Sequence, residues 1–196
     1  MESSSPLIVL KFGGTSVSSS ENWKQIETVV RQRKQQGFRV LLVHSALAGV
    51  SDTIAQALEG IHQLDLDALI DELRRRHLSL AGEMGLDELE PALEAGLEEL
   101  ARLLEGARLI GEVTPRLRAR AMSQGERLAG VLATARLHAA GLAPDAVDPT
   151  ELLSIQPREL ETADWLSAVC DDAADPGGQA WLRGRGEGVL TQGFFA

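Results

Sequence analysis

The chain has 196 residues, 44 % of them apolar and 24 % charged, the profile of an ordinary globular protein with room for one substantial core rather than two full domains. Its formal net charge of −10 and pI near 4.9 set most of the surface against a polyphosphate backbone, which argues against nucleic-acid binding. No apolar run approaches the ~20 residues that cross a bilayer, the N-terminus lacks the basic n-region of a signal peptide, and the single cysteine, Cys170, permits no intramolecular disulfide, so a cytoplasmic chain without a membrane partner is expected.

Leu7-Ile8-Val9-Leu10 reads as a strand buried on both faces that ends in a tight glycine turn at Gly13-Gly14. Ser18, Ser19 and Ser20 offer N-caps to a helix whose apolar face is Trp23, Ile26, Val29 and Val30 and which Gly37 stops. Val40-Leu41-Leu42-Val43 reads as a second buried strand running into the small-residue stretch His44 to Ser51. Strand, helix and strand at these lengths form a βαβ unit, which predicts a parallel sheet with ligands beyond the carboxyl ends of its strands. Both small-residue turns fall there.

From Ser51 to about Gly141 the pattern is helical, with breaks near Gly85 and at Gly111 and Pro115. Leu66, Leu69, Ile70 and Leu73 make one apolar seam, and Leu89, Leu93, Leu97, Leu100, Leu103 and Leu104 make another. Ala143 to Val147 reads as a third strand and Thr162 to Ala174 as a helix, with Cys170 a small core residue in it. Pro176-Gly177-Gly178 reads as a turn, Gly184 to Gly188 as a flexible loop, and Gly188 to Ala196 as a strand and glycine turn. An apolar sheet edge is therefore expected near Val189 to Phe195, prone to association.

The strongest chemical signal is Lys11-Phe12-Gly13-Gly14-Thr15-Ser16 directly after a strand. Paired glycines let the backbone approach a phosphate, their amides can point at anionic oxygens, and Lys11 can reach terminal phosphates as a point charge. Neither the P-loop pattern nor the Gly-x-Gly-x-x-Gly fingerprint is present, so on these residues alone a phosphate site and a plain strand-ending turn both stand. His44, His62, His77 and His138 show no metal-ligand spacing, and no Gly-x-Ser-x-Gly nucleophile elbow occurs.

Lys-Phe-Gly-Gly-Thr-Ser-Val at 11–17 resembles the opening motif of aspartate kinases of the amino-acid kinase fold. Ser45-Ala46-Leu47-Ala48-Gly49-Val50-Ser51 resembles the family's Ser-Ala-x-x-Gly-[Val/Ile]-[Thr/Ser] segment, Ser123-Gln124-Gly125-Glu126 its Gly-Glu motif at the start of a long helix, and Leu190 to Phe194 its later strand and turn. The likeness spans nearly the whole chain. It is nearest to the kinase portion of bifunctional diaminopimelate decarboxylase/aspartate kinases, on Trp23, Arg76-His77-Leu78 and Ser123-Gln124-Gly125-Glu126.

The resemblance implies an α/β three-layer sandwich of the carbamate kinase-like type. Its sheet would be mainly parallel, with a helical excursion over about 52–141 and an incomplete C-terminus, so that residues 1–196 form an N-terminal lobe. It implies an enzyme, aspartate kinase, moving the γ-phosphoryl group of ATP, with Mg2+, to the β-carboxylate of L-aspartate, towards lysine, threonine and methionine. Lys11, Phe12, Gly13, Gly14 and Ser45 would bind ATP, with Lys11 also catalytic; Ser51 and Glu126 would bind aspartate. Two simpler readings stay open: Ser51 as an N-cap, and Glu126 as a solvated first-turn carboxylate. Most relatives have His where Gln124 stands, and the family's Gly-Arg-Gly-Gly-Ser-Asp motif does not follow Gly193. An isolated chain without turnover is therefore expected, as half of a complex or a homo-oligomer; a non-catalytic binding fragment is the alternative.

Overall fold

The computed structural model describes residues 5–151, 175–185 and 188–193. Strand β1 (Leu7–Phe12) leads through a short 3-10 turn (Gly14–Val17) into α1 (Ser20–Gln35) and then β2 (Arg39–His44). Of the three candidate caps it is Ser19 whose side chain accepts the Asn22 amide, and Gly37 takes the left-handed conformation after the last turn at φ +87°. Four helices form the excursion: α2 (Val50–Glu59), α3 (Leu66–Glu83), α4 (Glu90–Ile110) and α5 (Pro115–Ala139). β3 (Asp145–Ala146), α6 (Pro176–Gly184) and β4 (Gly188–Gln192) follow.

The described strands form a parallel sheet in the order β1-β2-β4-β3. The register aligns Phe12 with His44 and His44 with Gln192, so three strand ends meet at one carboxyl edge. Period-two alternation splits each strand between two faces. Ile8, Leu10, Phe12, Val40, Leu42 and Leu190 belong to the helix-packed core, continuous with Trp23 and Ile26 of α1 and Leu128 and Leu132 of α5. An ion pair from Arg136 to Glu27 joins α5 to α1. On the other face, Arg39 reaches the carbonyls of Leu182 and Arg185 and so ties α6 to β2.

The leucine seams are core: Leu69, Ile70, Leu73, Leu93, Leu97, Leu100 and Leu104 are buried. The excursion's breaks fall where the sequence places them, at Gly85 (φ +69°), Gly111 (φ +76°) and Pro115. Other expectations need correction. β1 is not buried on both faces: Leu7 is 39 % and Val9 56 % exposed, because β1 is the edge strand and only its other face meets the helices. Residues 188–192 are not an exposed edge, since β4 lies between β2 and β3 with Val189 and Leu190 buried. The third strand is only Asp145–Ala146. Pro176-Gly177-Gly178 opens α6 rather than a turn, with Pro176 at the first helical position, where its missing N–H costs nothing. Gly184 ends that helix and Gly188 begins β4. The helix expected over Thr162 to Ala174, with Cys170, lies outside the described residues, as do Phe194 and Phe195.

His77 of α3 is fully buried in the excursion core. Its Nδ1 lies 2.7 Å from the Leu73 carbonyl, so Nδ1 carries the proton and donates, while Nε2 is buried with no hydrogen-bond partner among the described residues. Burial, with Arg76 adding a smaller repulsion, pushes its pKa below the ordinary 6.5, against the carbonyl bond; burial lowers His44 in the same direction. The unfolded chain then binds more protons, so the stability from neutral histidine is present above pH 6.5 and is lost as pH falls below it. The slope is at most about 1.4 kcal/mol per pH unit per histidine. Urea titrations at pH 7.5 and 5.5 should show lower stability at 5.5, and His77→Leu should narrow the gap between the two midpoints, with His44 left to account for part of it.

Candidate functional site

The tip of β1 is pinned from beneath. The amides of Ser16 and Val17 donate to the Gly13 carbonyl at 2.9 and 3.3 Å. Ser18 Oγ donates to the Gly14 carbonyl at 2.5 Å, Asn22 Nδ2 to that of Thr15 at 2.9 Å, and Trp23 Nε1 to that of Val17 at 3.0 Å. Every one of these carbonyls is thus satisfied from within. The amides of Gly13, Gly14 and Thr15 have no hydrogen-bond partner among the described residues. Successive amides left open beside a cation are the composition of an anion-binding concavity. Lys11 supplies that cation: its side chain folds over the turn, with Nζ 4.0 Å from where a Gly13 Cβ would stand. Lys11 makes no ion pair among the described residues. The amides of Ser16 and Val17, by contrast, are spent inside the turn.

The second turn, between β2 and α2, packs directly on the first. Ser45 N–H donates to the Phe12 carbonyl at 3.2 Å, the last rung between the strands. A Cβ on Gly14 would stand 2.9 Å from the Ala46 carbonyl oxygen and 3.3 Å from Ala48 N and Cα, all backbone atoms. Glycine is required here by close approach. Gly14→Ala should force the two turns apart, costing about 1–3 kcal/mol as an overpacked site does; thermal unfolding measures it. Gly49, at φ +77°, is the N-cap position of α2, so Ser51 stands in the first turn of α2 and is not its cap.

Glu126 is not a first-turn carboxylate. It lies mid-way along α5, only 8 % exposed, inside a continuous buried stretch from Ser123. Gly125 lets α5 approach the second turn: a Cβ there would stand 3.0 Å from Val50 Cγ1 and 3.3 Å from Ala46 Cβ. Glu126 Oε2 lies 3.9 Å from a Cβ position on Gly193, whose amide donates to the His44 carbonyl at 2.8 Å. The carboxylate therefore sits over the carboxyl tips of β2 and β4.

Lys11, Gly13, Gly14, Ser45 and Glu126 thus share one edge of the sheet, with Ser51 just beyond in α2. Phe12 differs: its ring packs against the core, and only its carbonyl reaches the edge. Sequence reasoning missed Ser18 and Arg76, whose partners lie 30 and 28 residues away. A cleft of about 630 Å3 adjoins the edge between α5 and β3–β4, floored by His44 and Gln192 and rimmed by the Arg127–Asp148 ion pair. A second concavity of about 660 Å3, between α3 and the second turn, is lined by Ser18, Ala48, Glu72, Arg75 and Arg76. Among the described residues no three His, Cys, Asp or Glu side chains cluster as a metal site, and no helix is long and apolar enough to cross a membrane.

Known proteins resemble this chain in sequence and in fold. The chain is 28 % identical over 166 residues to aspartokinase 2 of Arabidopsis thaliana, covering 82 % of this chain and 30 % of that protein. It is 25 % identical over 192 residues to aspartokinase 1 of the same plant, covering 95 % and 33 %. It thus spans about a third of these relatives' length. Among solved structures, E. coli aspartokinase III in complex with lysine and aspartate superposes with a TM-score of 0.77 at 23 % identity, over 95 % of this chain and 40 % of that one. Its complex with aspartate and ADP superposes at 0.71 and 22 %, over 96 % and 40 %. These superpositions establish the α/β fold; residues 6–173 match the amino acid kinase family itself, and with that match over most of its length the chain belongs to the amino acid kinase family.

Proposed function

We propose that this chain carries part of an aspartate kinase site, which transfers the γ-phosphoryl group of ATP to the β-carboxylate of L-aspartate. The observation that carries the reading is the packing of the two strand-tip turns: open amides and Lys11 on one side, Ser51 and the buried Glu126 on the other. The relatives' names and the aspartate and ADP bound by E. coli aspartokinase III support it.

In this reading the amides of Gly13, Gly14 and Thr15 hold the terminal phosphate oxygens. The Lys11 ammonium balances charge as the phosphoryl group moves, and the Ser45 hydroxyl lies beside it. Ser51 hydrogen-bonds the substrate, and Glu126 pairs with its α-ammonium group. A β-carboxylate oxygen forms the new bond to phosphorus, the bond from phosphorus to the β–γ bridging oxygen breaks, and ADP leaves. The carboxylate is already ionised at neutral pH, so no proton has to be removed. The site's work is placement and charge stabilisation. Bound with the nucleotide, Mg2+ would supply further neutralisation of phosphate charge; no residue of this chain is assigned to hold it.

The product is an acyl phosphate, which hydroxylamine traps. Complemented with the C-terminal part of an aspartokinase, the chain should yield aspartyl hydroxamate from ATP and L-aspartate and none from glutamate or acetylglutamate, whereas residues 1–196 alone should yield none. Hydroxamate from another acceptor, or ATP hydrolysis without an acceptor, would overturn the assignment. The acyl phosphate would stand at the entrance to lysine, threonine and methionine synthesis.

A further inference from the structure

Two side chains outside the predicted site converge on Ala48 in the second turn. The Ser18 hydroxyl spends its proton on the Gly14 carbonyl at 2.5 Å and accepts the Ala48 amide at 2.7 Å. A single oxygen thereby joins the turn after β1 to the turn after β2. Arg76 of α3 in turn donates Nη2 to the Ala48 carbonyl. The same nitrogen lies 3.5 Å from where a Cβ on Gly49 would stand, so the guanidinium lies beside the left-handed N-cap of α2. Glu72, one turn earlier on α3, lies 3.6 Å from Arg76 Nη1 and steadies it.

We propose that Ser18 and Arg76 are positioning residues that clamp Ala48 by its N–H and its C=O, and so hold the two turns in register. The inference rests on the function proposed above, in which the first turn carries the phosphoryl donor and the second leads into Ser51 on the acceptor side. The spacing between turns then sets the distance from carboxylate oxygen to phosphorus. Small misplacement of reacting groups lowers turnover steeply while each substrate still finds its own contacts. Gly14 limits how close the turns come, since any Cβ there meets backbone; Ser18 limits how far they part, and Arg76 fixes Ala48 against α3 so that the second turn cannot follow a shift of the first.

The clamp has a test that needs no turnover. Amide exchange at Ala48 in Ser18→Ala should be at least about tenfold faster than in the parent, with Leu97 and Leu128 in the core unchanged; Ser18→Thr keeps the hydroxyl and should restore protection. Arg76→Met should speed exchange across 48–50, and Arg76→Lys should restore it in part. Unchanged protection at Ala48 in Ser18→Ala overturns the clamp. Hydroxamate kinetics of the chain complemented with the C-terminal part of an aspartokinase then test its role: Ser18→Ala should lower kcat about tenfold or more with both KM values within about threefold of the parent, which a merely loosened fold would not produce. Parental kcat in the presence of fast Ala48 exchange overturns the positioning role. A complemented parent with no aspartyl hydroxamate refutes the proposed function instead, and the exchange result still decides the clamp.

Discussion

Lys11→Met should lower the rate of phosphoryl transfer by about a thousandfold, close to 4 kcal/mol of transition-state stabilisation, the size seen when a preorganised charge-stabilising group is removed. Affinity for the nucleotide should fall far less, because the open amides of Gly13, Gly14 and Thr15 remain. The fold should not notice: Lys11 is exposed and makes no ion pair among the described residues, so its loss removes no buried contact. Lys11→Arg should not restore activity, since a planar fork cannot replace a compact ammonium that curls over a glycine turn. Single-turnover rates of the complemented chain beside thermal unfolding separate the two effects. A variant that unfolds along with losing activity would make Lys11 a structural residue.

Glu126→Gln should raise the KM for aspartate by about a hundredfold and leave nucleotide affinity within about threefold. Removing the charge of one partner in a desolvated ammonium–carboxylate pair costs about 2–5 kcal/mol, because the other charge is left buried without its partner. Glu126 meets the burial condition, held mid-helix between the second turn and the end of β4. The change is nearly isosteric, so packing around Gly125 and Gly193 is kept. Succinate, which is aspartate without its amino group, gives the second half of a double-mutant cycle. The parent should discriminate strongly against succinate and Glu126→Gln should not. Discrimination that survives the substitution would remove Glu126 from the ammonium site.

The sequence is legible where local chemistry decides. Four consecutive apolar residues, a glycine pair, a serine cap and a glycine stop are all short-range signals, and β1, α1 and β2 follow from them. The excursion's seams and breaks are legible for the same reason: leucines at helical spacing fall on one face, and Gly111 and Pro115 carry their own backbone constraints. What fails is whatever depends on strand order. Residues 7–10 and 188–192 look alike as apolar runs, yet one is a half-exposed edge and the other an interior strand, because β4 inserts between β2 and β3.

The site divides in the same way. Lys11 and the glycines announce themselves by adjacency, and the family motifs single out Ser45, Ser51 and Glu126. That Glu126 is mid-helix is masked because Gly125 looks like a helix boundary, whereas its missing side chain instead lets α5 close on Val50 and Ala46. Ser18 sits among three serines of which one is the cap, and nothing local marks it as the bridge to Ala48. Arg76 is one of three consecutive arginines, and only the folded chain sets it apart.

The phosphate cradle at the tip of β1 is the claim on which the remainder depends. Titration of 15N-labelled protein with Mg2+ and a non-hydrolysable ATP analogue should move the amide signals of Gly13, Gly14 and Thr15 first and furthest, and Lys11→Met should reduce those shifts. If these amides stay in place while the largest shifts appear around His44 and Gln192 in the neighbouring cleft, the nucleotide's phosphates bind elsewhere and the kinase mechanism drawn here is wrong.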